Sequence, residues 1–342
     1  MTERHLPGNE VEFGELIEGH RKDIVLLCYR FLGSLDEAEE AAQDTALRAW
    51  RASGSFRGES SVRTWLHRIA TRACLDLIDK TARRPIAFYG GTPSDPREPP
   101  APPSAESGWI RPLPDSYLVE VAEDPAARYS LRESVSLAFL AAIQSLPARQ
   151  RAVLILRDVL GWSAPEVAPT LDMSVAAVNS ALHRARRMLR ERHHDAGIEG
   201  MRTEGLGDPG VRDLVDAYVR AWDADDVHGL VAVVKEDVRL AMPPSPSWYL
   251  GAAAVVEFID RWIFSSLPPD GFRFAVTQAN GQPAVGLLQR RADRRWAGAG
   301  IQVLTVESGA IASIAAFMDP VAVERFELTE RPEGGHSVAP DR

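Results

Sequence analysis

Two clusters of side chains in this 342-residue chain have the types and spacing for holding nucleic acid. The first lies in residues 161–189, GWSAPEVAPTLDMSVAAVNSALHRARRML. Ser163 and Glu166 have the S-x-x-E spacing of a capping box, which opens a helix. Residues 171–173 break the pattern, and Ser174 offers a second N-cap. Beyond it, Val178, Leu182, Ala185 and Leu189 recur at helical spacing as one apolar stripe. Two short helices joined by a tight turn are therefore predicted. The second leaves Ser174, Ala176, Ala177, Ser180, His183, Arg184 and Arg187 off the apolar stripe. Small residues at a helix start let the backbone approach base edges in a major groove, and the arginines meet phosphates. An ordinary helical hairpin with a solvated basic face has the same periodicity. Pro169 falls inside the first helix, where proline costs about 3 kcal/mol if it interrupts a regular helix.

The second cluster begins in the Gly/Ser loop of residues 53–61, which carries Phe56 and Arg57. A helix is predicted from about 62 to 80, with Leu66, Ile69, Ala73 and Leu77 as its buried stripe. Trp65, Arg68 and Arg72 lie on another face. An exposed ring stacks on an unpaired base for about 1–3 kcal/mol, and flanking cations track the backbone. A tryptophan half-buried in a core, with arginines at the rim, is the competing reading.

The elements around these clusters are helical. Residues 11–32 place Phe13, Ile17, Ile24, Leu27 and Phe31 on one side, and Gly33 is a natural C′ residue. Ser34 and Glu37 have capping-box spacing before the acidic run DEAEEAAQDTALRAW, residues 36–50, whose charges suit the positive end of a helix dipole. Its polar face is either simply solvated or a docking face for a partner. Residues 126–160 return to helix, with Leu131, Val135, Phe139 and Ile143 at spacings of four; Pro147 suits a first helical turn. Nine of the 24 prolines fall in the stretch from Pro85 to Pro114, which predicts an extended, semi-rigid linker.

Past Gly200 the composition changes again. Residues 211–235 and 252–264 are helix-periodic, whereas 238–242, 272–280, 283–290, 298–306 and 311–318 read as strands. Asn280-Gly281 and Ser308-Gly309 punctuate the strands as hairpin turns. Helices followed by antiparallel strands predict a separate α+β domain. Trp222, Trp248, Tyr249, Trp262 and Phe317 are its candidate pocket lining, or simply its core. Asp223, Asp225 and Asp319 are its candidate acids.

Bulk properties bound the remainder. Net charge is −9, with near balance over the first 200 residues and an acidic remainder; basic residues cluster at Arg184, Arg186, Arg187, Arg190 and Arg192. A protein that is acidic overall can bind DNA through such a cluster. Cys28 and Cys74 sit among apolar neighbours and are expected to be buried thiols. No metal-ligand spacing occurs, so neither metal nor cofactor is expected; His193-His194 reads as a solvated helix end. No apolar leader or run long enough to span a bilayer is present, so a cytoplasmic protein away from the membrane is expected.

Two separated motifs resemble one family. DEAEEAAQDTALRAW followed by FRGESSVRTWLHRIATRACLD resembles region two of the extracytoplasmic-function (ECF) group of bacterial RNA polymerase sigma factors. L-P-x-x-Q-R at residues 146–151, then W-S-x-x-E-V-A and L-H-R-A-R, resemble region four, a helix-turn-helix. The resemblance implies that Glu40, Gln43 and Asp44 dock on the β′ clamp of the polymerase core. It places Phe56, Arg57, Trp65, Arg68 and Arg72 at the minus-ten promoter element, and Ser174 to Arg187 at the minus-thirty-five element beside the β flap. Arg72 departs from the family's usual Asn. Asn179 and Ala181 stand where many relatives carry Lys and Arg, which implies weaker phosphate contact. The linker, with its acidic end at residues 120–124, would thread the polymerase. The C-terminal marks, YVRAWDADD, WYLGAAAVVEFI and NGQPAVG, resemble the SnoaL-like (polyketide-cyclase-like) cone fold, whose pocket would take a small ligand.

The expected organisation is all-α sigma region two (10–84), a proline-rich linker (85–128), sigma region four (129–196) and an α+β SnoaL-like domain (208–330). The two helical modules are expected to be separate, joined by the tether. The function expected is promoter recognition and transcription initiation without catalysis, the last domain acting as regulator. The alternatives are a bifunctional protein with a cyclase or isomerase domain, and a DNA-binding regulator that never engages polymerase.

Overall fold

The computed structural model describes residues 10–81, 88–104, 108–119, 130–195, 204–266, 272–290, 295–326 and 328; the acidic stretch 120–124 lies outside them. The chain forms two compact units. Residues 1–85 and 116–200 make the first, and residues 86–115 and 201–342 the second.

In the first unit, α1 (Glu10–Leu32), α2 (Leu35–Ala52) and α3 (Val62–Thr81) form a three-helix module. Gly33 ends α1 at φ 73°, its N–H bonded to Tyr29 O at 2.7 Å. Ser34 takes the N-cap position of α2, but its side chain makes no capping bond, so the predicted box with Glu37 does not form. Asp36 and Glu37 still favour that helix end electrostatically. Asp23 on α1 ties α3 in place: its carboxylate accepts from Arg63 at 2.7 and 2.8 Å and pairs with His67 Nε2 at 2.7 Å. Burial works to raise the Asp23 pKa, but hydrogen bonds from Arg63 and His67, with their charges, hold it well below the usual carboxylate range. Cys28 and Cys74 are buried free thiols, as expected, and burial pushes the Cys74 thiol up.

A short α4 (Ser116–Val119) bonds to α2 through Tyr117 Oη, which donates to Glu39 Oε1 at 2.9 Å. The second module holds α5 (Leu137–Gln144), α6 (Ala148–Leu154) continued by a π-type turn (Ile155–Val159), α7 (Ala164–Thr170) and α8 (Val175–Asp195). The helical stretch expected across 126–160 is thus divided, and the helix expected to open at Pro147 does so. Ser136 stops it at one point by capping α5, its Oγ accepting from Phe139 N at 3.3 Å. Pro147, at the N-cap of α6, stops it at another.

The two helical modules, expected to be separate, pack against each other within the first unit. Every residue from Ile24 to Phe31 is buried, as in a helix covered on all sides. The second module supplies one of those sides. The last carbonyls of a helix have no partner within it. Here Gln144 Nε2 donates to Arg30 O at 3.3 Å and Phe31 O at 3.0 Å, and Arg151 Nη1 donates to Phe31 O at 2.6 Å. Arg151 also donates to Ile143 O at 3.1 Å, Gln144 Oε1 at 2.5 Å, Gln144 O at 2.7 Å and Leu146 O at 3.3 Å. Arg30 in turn reaches Ser134 Oγ at 2.9 and 3.2 Å. Burial lowers both guanidinium pKa values to about 10.

In the second unit, α9 (Val211–Asp223), α10 (Val227–Val233) and α11 (Ala252–Phe258) accompany a six-stranded sheet. Its strands are β1 (Val234–Ala241), β2 (Trp248–Leu250), β3 (Phe272–Ala279), β4 (Gln282–Arg290), β5 (Trp296–Glu307) and β6 (Ala310–Phe317), in the order β2-β1-β6-β5-β4-β3. Only the β1–β6 pair is parallel among them. Asn280 (φ 59°) with Gly281 (φ 71°), and Ser308 (φ 53°) with Gly309 (φ 75°), make the two predicted hairpin turns. Two consecutive left-handed residues match the twist of the flanking strands. Val215, Tyr218, Leu230 and Phe258 pack with Val285, Leu304 and Ile314 in the core between helices and sheet.

The proline-rich stretch is extended, as predicted, but it is not a free tether. It straps onto this second unit. Phe88 meets Phe317 edge-on at 6.0 Å, and Tyr89 meets Trp248 at 5.5 Å with Arg239 5.4 Å from its ring. Its carbonyls accept fixed donors: Gly90 O from Trp248 Nε1 at 3.0 Å, Pro96 O from Trp262 Nε1 at 2.9 Å and Ala101 O from Ser245 Oγ at 2.8 Å. At its far end Leu113 N donates to Asn280 Oδ1 at 2.8 Å, and Asn280 N returns to Leu113 O at 2.9 Å. Prolines cannot donate, but the residues between them do: Ser94 N to Trp248 O at 2.7 Å, Ala101 N to Ser247 Oγ at 2.8 Å and Ser104 N to Pro244 O at 2.9 Å. The strap therefore attaches through carbonyls, rings and the N–H groups of its other residues.

Candidate nucleic-acid interface

The helix-turn-helix forms from the local signals in its sequence. The Glu166 carboxylate accepts from Ser163 Oγ at 2.6 Å and Ser163 N at 2.7 Å at the start of α7; the side-chain bond first, then the backbone bond, lowers the Glu166 pKa. Pro169 sits in the last turn of this seven-residue helix without ending it. Asp172 makes the turn at φ 52°, a conformation that Asp tolerates better than most residues. Ser174 Oγ then accepts from Ala177 N at 3.1 Å, capping α8 as predicted.

Along α8, Val178, Leu182 and Ala185 are buried. Ser174, Ala176, Ser180, His183, Arg184 and Arg187 are exposed and Ala177 partly so, which brings all seven predicted reading residues onto solvent-facing positions. Arg186 is different: it grips Asp158 bidentately at 2.6 and 2.9 Å and serves the fold. Ala181 is 2% exposed. A longer cation at that position would therefore start from the core side of the helix.

On α3 the buried stripe is broader than predicted. Leu66 and Ala73 are buried with Val62, His67, Ala70, Thr71 and Cys74, while Ile69 and Leu77 are only partly covered. The Phe56 and Trp65 rings lie 5.2 Å apart, tilted by 56°. Arg57 is exposed. Arg68 and Arg72 share the face with Trp65 but are engaged by the helix-turn-helix. Arg72 donates through Nη2 to Pro169 O at 3.2 Å and through Nε to Thr170 O at 3.3 Å, with Asp172 at 3.6 Å. The Arg68 guanidinium lies 5.9 Å from the centre of the Trp162 ring, and its Nε is buried without a hydrogen-bond partner among the described residues.

On α2, Glu40 and Gln43 are exposed, and Asp44 is half-buried beside Arg48 at 2.8 Å. Two residues on this helix escaped the sequence reading. Leu47 is 57% and Trp50 43% exposed, extending the Glu40–Gln43 face by further turns. Their signal was available: large apolar residues at i+4 and i+7 from Gln43, outside the buried stripe of Ala38, Ala42, Thr45 and Ala49.

The five aromatics proposed as one pocket are not brought together. Trp222 and Tyr249 belong to the core between helices and sheet, and Trp262 packs against that core. Trp248 and Phe317 stack against the strap, and Trp262 is bonded to it. Strand alternation explains the division, since neighbours such as Trp248 and Tyr249 face opposite sides of a sheet. Asp223 and Asp225 are exposed, and Asp319 lies 3.8 Å from Arg111. None of these three carboxylates enters the core.

Three segments of the chain match known protein families. Residues 16–84 match the model of Sigma-70 region 2, residues 136–189 that of Sigma-70, region 4, and residues 215–314 that of the SnoaL-like domain. Two helical promoter-reading modules joined to such a domain define a transcription initiation factor of the sigma type. The ECF RNA polymerase sigma factor SigG of Mycobacterium tuberculosis is 38% identical over 325 residues, covering 93% of this chain and 84% of that protein. The probable ECF RNA polymerase sigma factor SigI of the same species is 27% identical over 314 residues, covering 90% and 94%. The crystal structure of the M. tuberculosis ECF sigma factor SigJ has the same fold, with a TM-score of 0.58 at 20% identity, covering 94% of this chain and 100% of that one. This chain belongs to the ECF RNA polymerase sigma factors, and its partners are core RNA polymerase and promoter DNA. Among the described residues no helix is long and apolar enough to cross a membrane.

Proposed function

We propose the following assignment of tasks within the factor. Glu40, Gln43 and Asp44 on α2 dock on the polymerase clamp. Phe56, Arg57, Trp65, Arg68 and Arg72 capture the opened minus-ten element. Ser174, Ala176, Ala177, Ser180, His183, Arg184 and Arg187 read the minus-thirty-five element in a major groove. The observation that carries this reading is the solvent-facing side of α8: a capped helix start with small residues, followed by Arg184 and Arg187. The mechanism is binding: phosphate contacts position the modules, and ring stacking stabilises bases that have left the duplex. The factor works where polymerase works, in the cytoplasm.

The C-terminal domain acts as a regulator rather than an enzyme. Support comes from its carboxylates, since Asp223, Asp225 and Asp319 stay outside the core where a general acid or base would be needed. Further support comes from its hold on the strap.

Co-purification with core polymerase tests the docking assignment. The Gln43→Ala/Asp44→Ala variant is expected to bind core at least tenfold more weakly than wild type and to lose run-off transcription in proportion. Equal binding overturns the assignment.

A further inference from the structure

We propose that Asn179 selects an adenine in the minus-thirty-five element, and that Val175, one helical turn before it, seats a thymine methyl group. Both residues lie outside the reading set assigned above. Their role rests on that assignment of α8 and adds the bases selected.

Neither residue is explained by the fold. Val175 is the first residue of α8 and is 42% exposed, although Val178, Leu182 and Ala185 of the same helix are buried. Asn179, one turn on, is exposed, and its amide makes no hydrogen bond among the described residues. Asparagine is a poor helix former whose side chain is useful at caps and turns. The cap of α8 is already supplied by Ser174, whose Oγ accepts from Ala177 N at 3.1 Å. Two turns beyond Asn179, Arg186 is held by Asp158 at 2.6 and 2.9 Å and is not free to read DNA. Asn179 thus contributes nothing to the helix that carries it, and its donor and acceptor are both open.

A spacing of four residues puts Val175 and Asn179 on one side of the helix. At about 1.5 Å per residue they stand about 6 Å apart along its axis, close to two base steps of about 3.4 Å. Ala176, Ala177 and Ser180 beside them are small, so the backbone can come close enough for short side chains to reach base edges. Residues 175–183 contain no lysine or arginine. The usual reader of guanine, an arginine bidentate to O6 and N7, is therefore missing from that span. The usual reader of adenine is present. An asparagine amide N–H donates to adenine N7 while its carbonyl accepts from the N6 amine, a pairing that no other base offers in the major groove. The base methyl group exposed there is that of thymine, and an apolar side chain packs on it. Phosphate contacts cannot make these choices, because they carry no sequence information. The leading half of α8 is built to read A·T pairs.

The test uses holoenzyme assembled from the full chain and core RNA polymerase. It selects from a library of random-sequence duplexes, and sequencing of the bound fraction gives the base preference at each position of the upstream block. Wild type is expected to show an adenine preference that Asn179→Ala reduces about five- to a hundredfold, the range for one bidentate contact. Asn179→Arg is expected to exchange adenine for guanine at that same position, a result that loss of folding cannot produce. 7-deaza-adenine, which lacks the N7 acceptor, is expected to weaken wild type but not Asn179→Ala. Val175→Ala is expected to reduce a nearby thymine preference about fourfold, as for one methyl-sized contact. Deoxyuridine in place of that thymine is expected to weaken wild type equally and the variant no further.

A wild-type block without an adenine preference, or one that Asn179→Ala or Val175→Ala leaves as it was, overturns the proposal. Arg184→Ala separates the two ways of failing. If it weakens selection of the upstream block while the Asn179 and Val175 variants leave it unchanged, the assignment of α8 stands and this proposal falls. If all these variants select the wild-type block at wild-type strength, the assignment of α8 falls with it.

Discussion

Arg151 offers the most demanding test of the finding that the two helical modules share one unit. The residue is 5% exposed, and its guanidinium donates to five acceptors, including the Phe31 carbonyl in the last turn of α1. At about 1.5 kcal/mol for a bond from a charged donor, the set is worth on the order of 7 kcal/mol. Against it stands the burial that lowers the Arg151 pKa to about 10, a penalty on the charged form of about 3 kcal/mol. Replacement by methionine keeps the volume, removes both effects and leaves a net loss of about 4 kcal/mol. For a unit of this size that lowers the melting temperature by roughly 10 °C. Differential scanning calorimetry of the full chain measures it, with Arg149→Met, an exposed change on the same helix, as control. The control is expected to stay within about 0.5 kcal/mol of wild type. An Arg151→Met chain that melts within about 2 °C of wild type refutes the view that this clasp holds the modules together.

Three further outcomes follow from the same geometry. Because the folded-state pKa of Asp23 is depressed, its contribution is present above the unfolded value of about 4 and is lost as pH falls below that; Asp23→Asn is expected to be less stable at pH 7 and less acid-sensitive between pH 4 and 2 by equilibrium unfolding. Arg187→Ala, on the exposed face of α8, is expected to reduce the slope of log K against log salt by about 0.9 for promoter duplex, without changing sequence preference; fluorescence anisotropy across a salt series checks both points. Asn280→Gly keeps the left-handed turn but deletes the acceptor for Leu113 N, so the strap is expected to lose about 1–3 kcal/mol of attachment and residues 88–115 to be cut faster in limited proteolysis.

Much of the fold was legible because local chemistry fixed it. Ser174 capped α8, Asn280-Gly281 and Ser308-Gly309 made hairpins, and the stripe of Val178, Leu182 and Ala185 turned inward, each through interactions spanning a few residues. The reading face of α8 followed, since a helix with one buried stripe exposes the rest. The α3 site was legible only in part: its residue types were evident, its occupant was not.

Three matters were decided by tertiary structure alone. Nothing near Arg72 in sequence says that Pro169 and Thr170, nearly a hundred residues away, will present it with carbonyls. The linker's prolines ruled out helix, but its docking depended on where β1, β2 and β6 placed Arg239, Trp248 and Phe317. The aromatics of the last domain could be counted, yet strand parity determined that Trp248 and Tyr249 face opposite sides of the sheet, and helix packing placed Trp222 in the core. Sequence alone determines caps, turns and stripes, because those act between neighbours along the chain. Which surfaces remain open is set by burial and by the pairing of distant carbonyls and donors, and those exist only once the chain has folded.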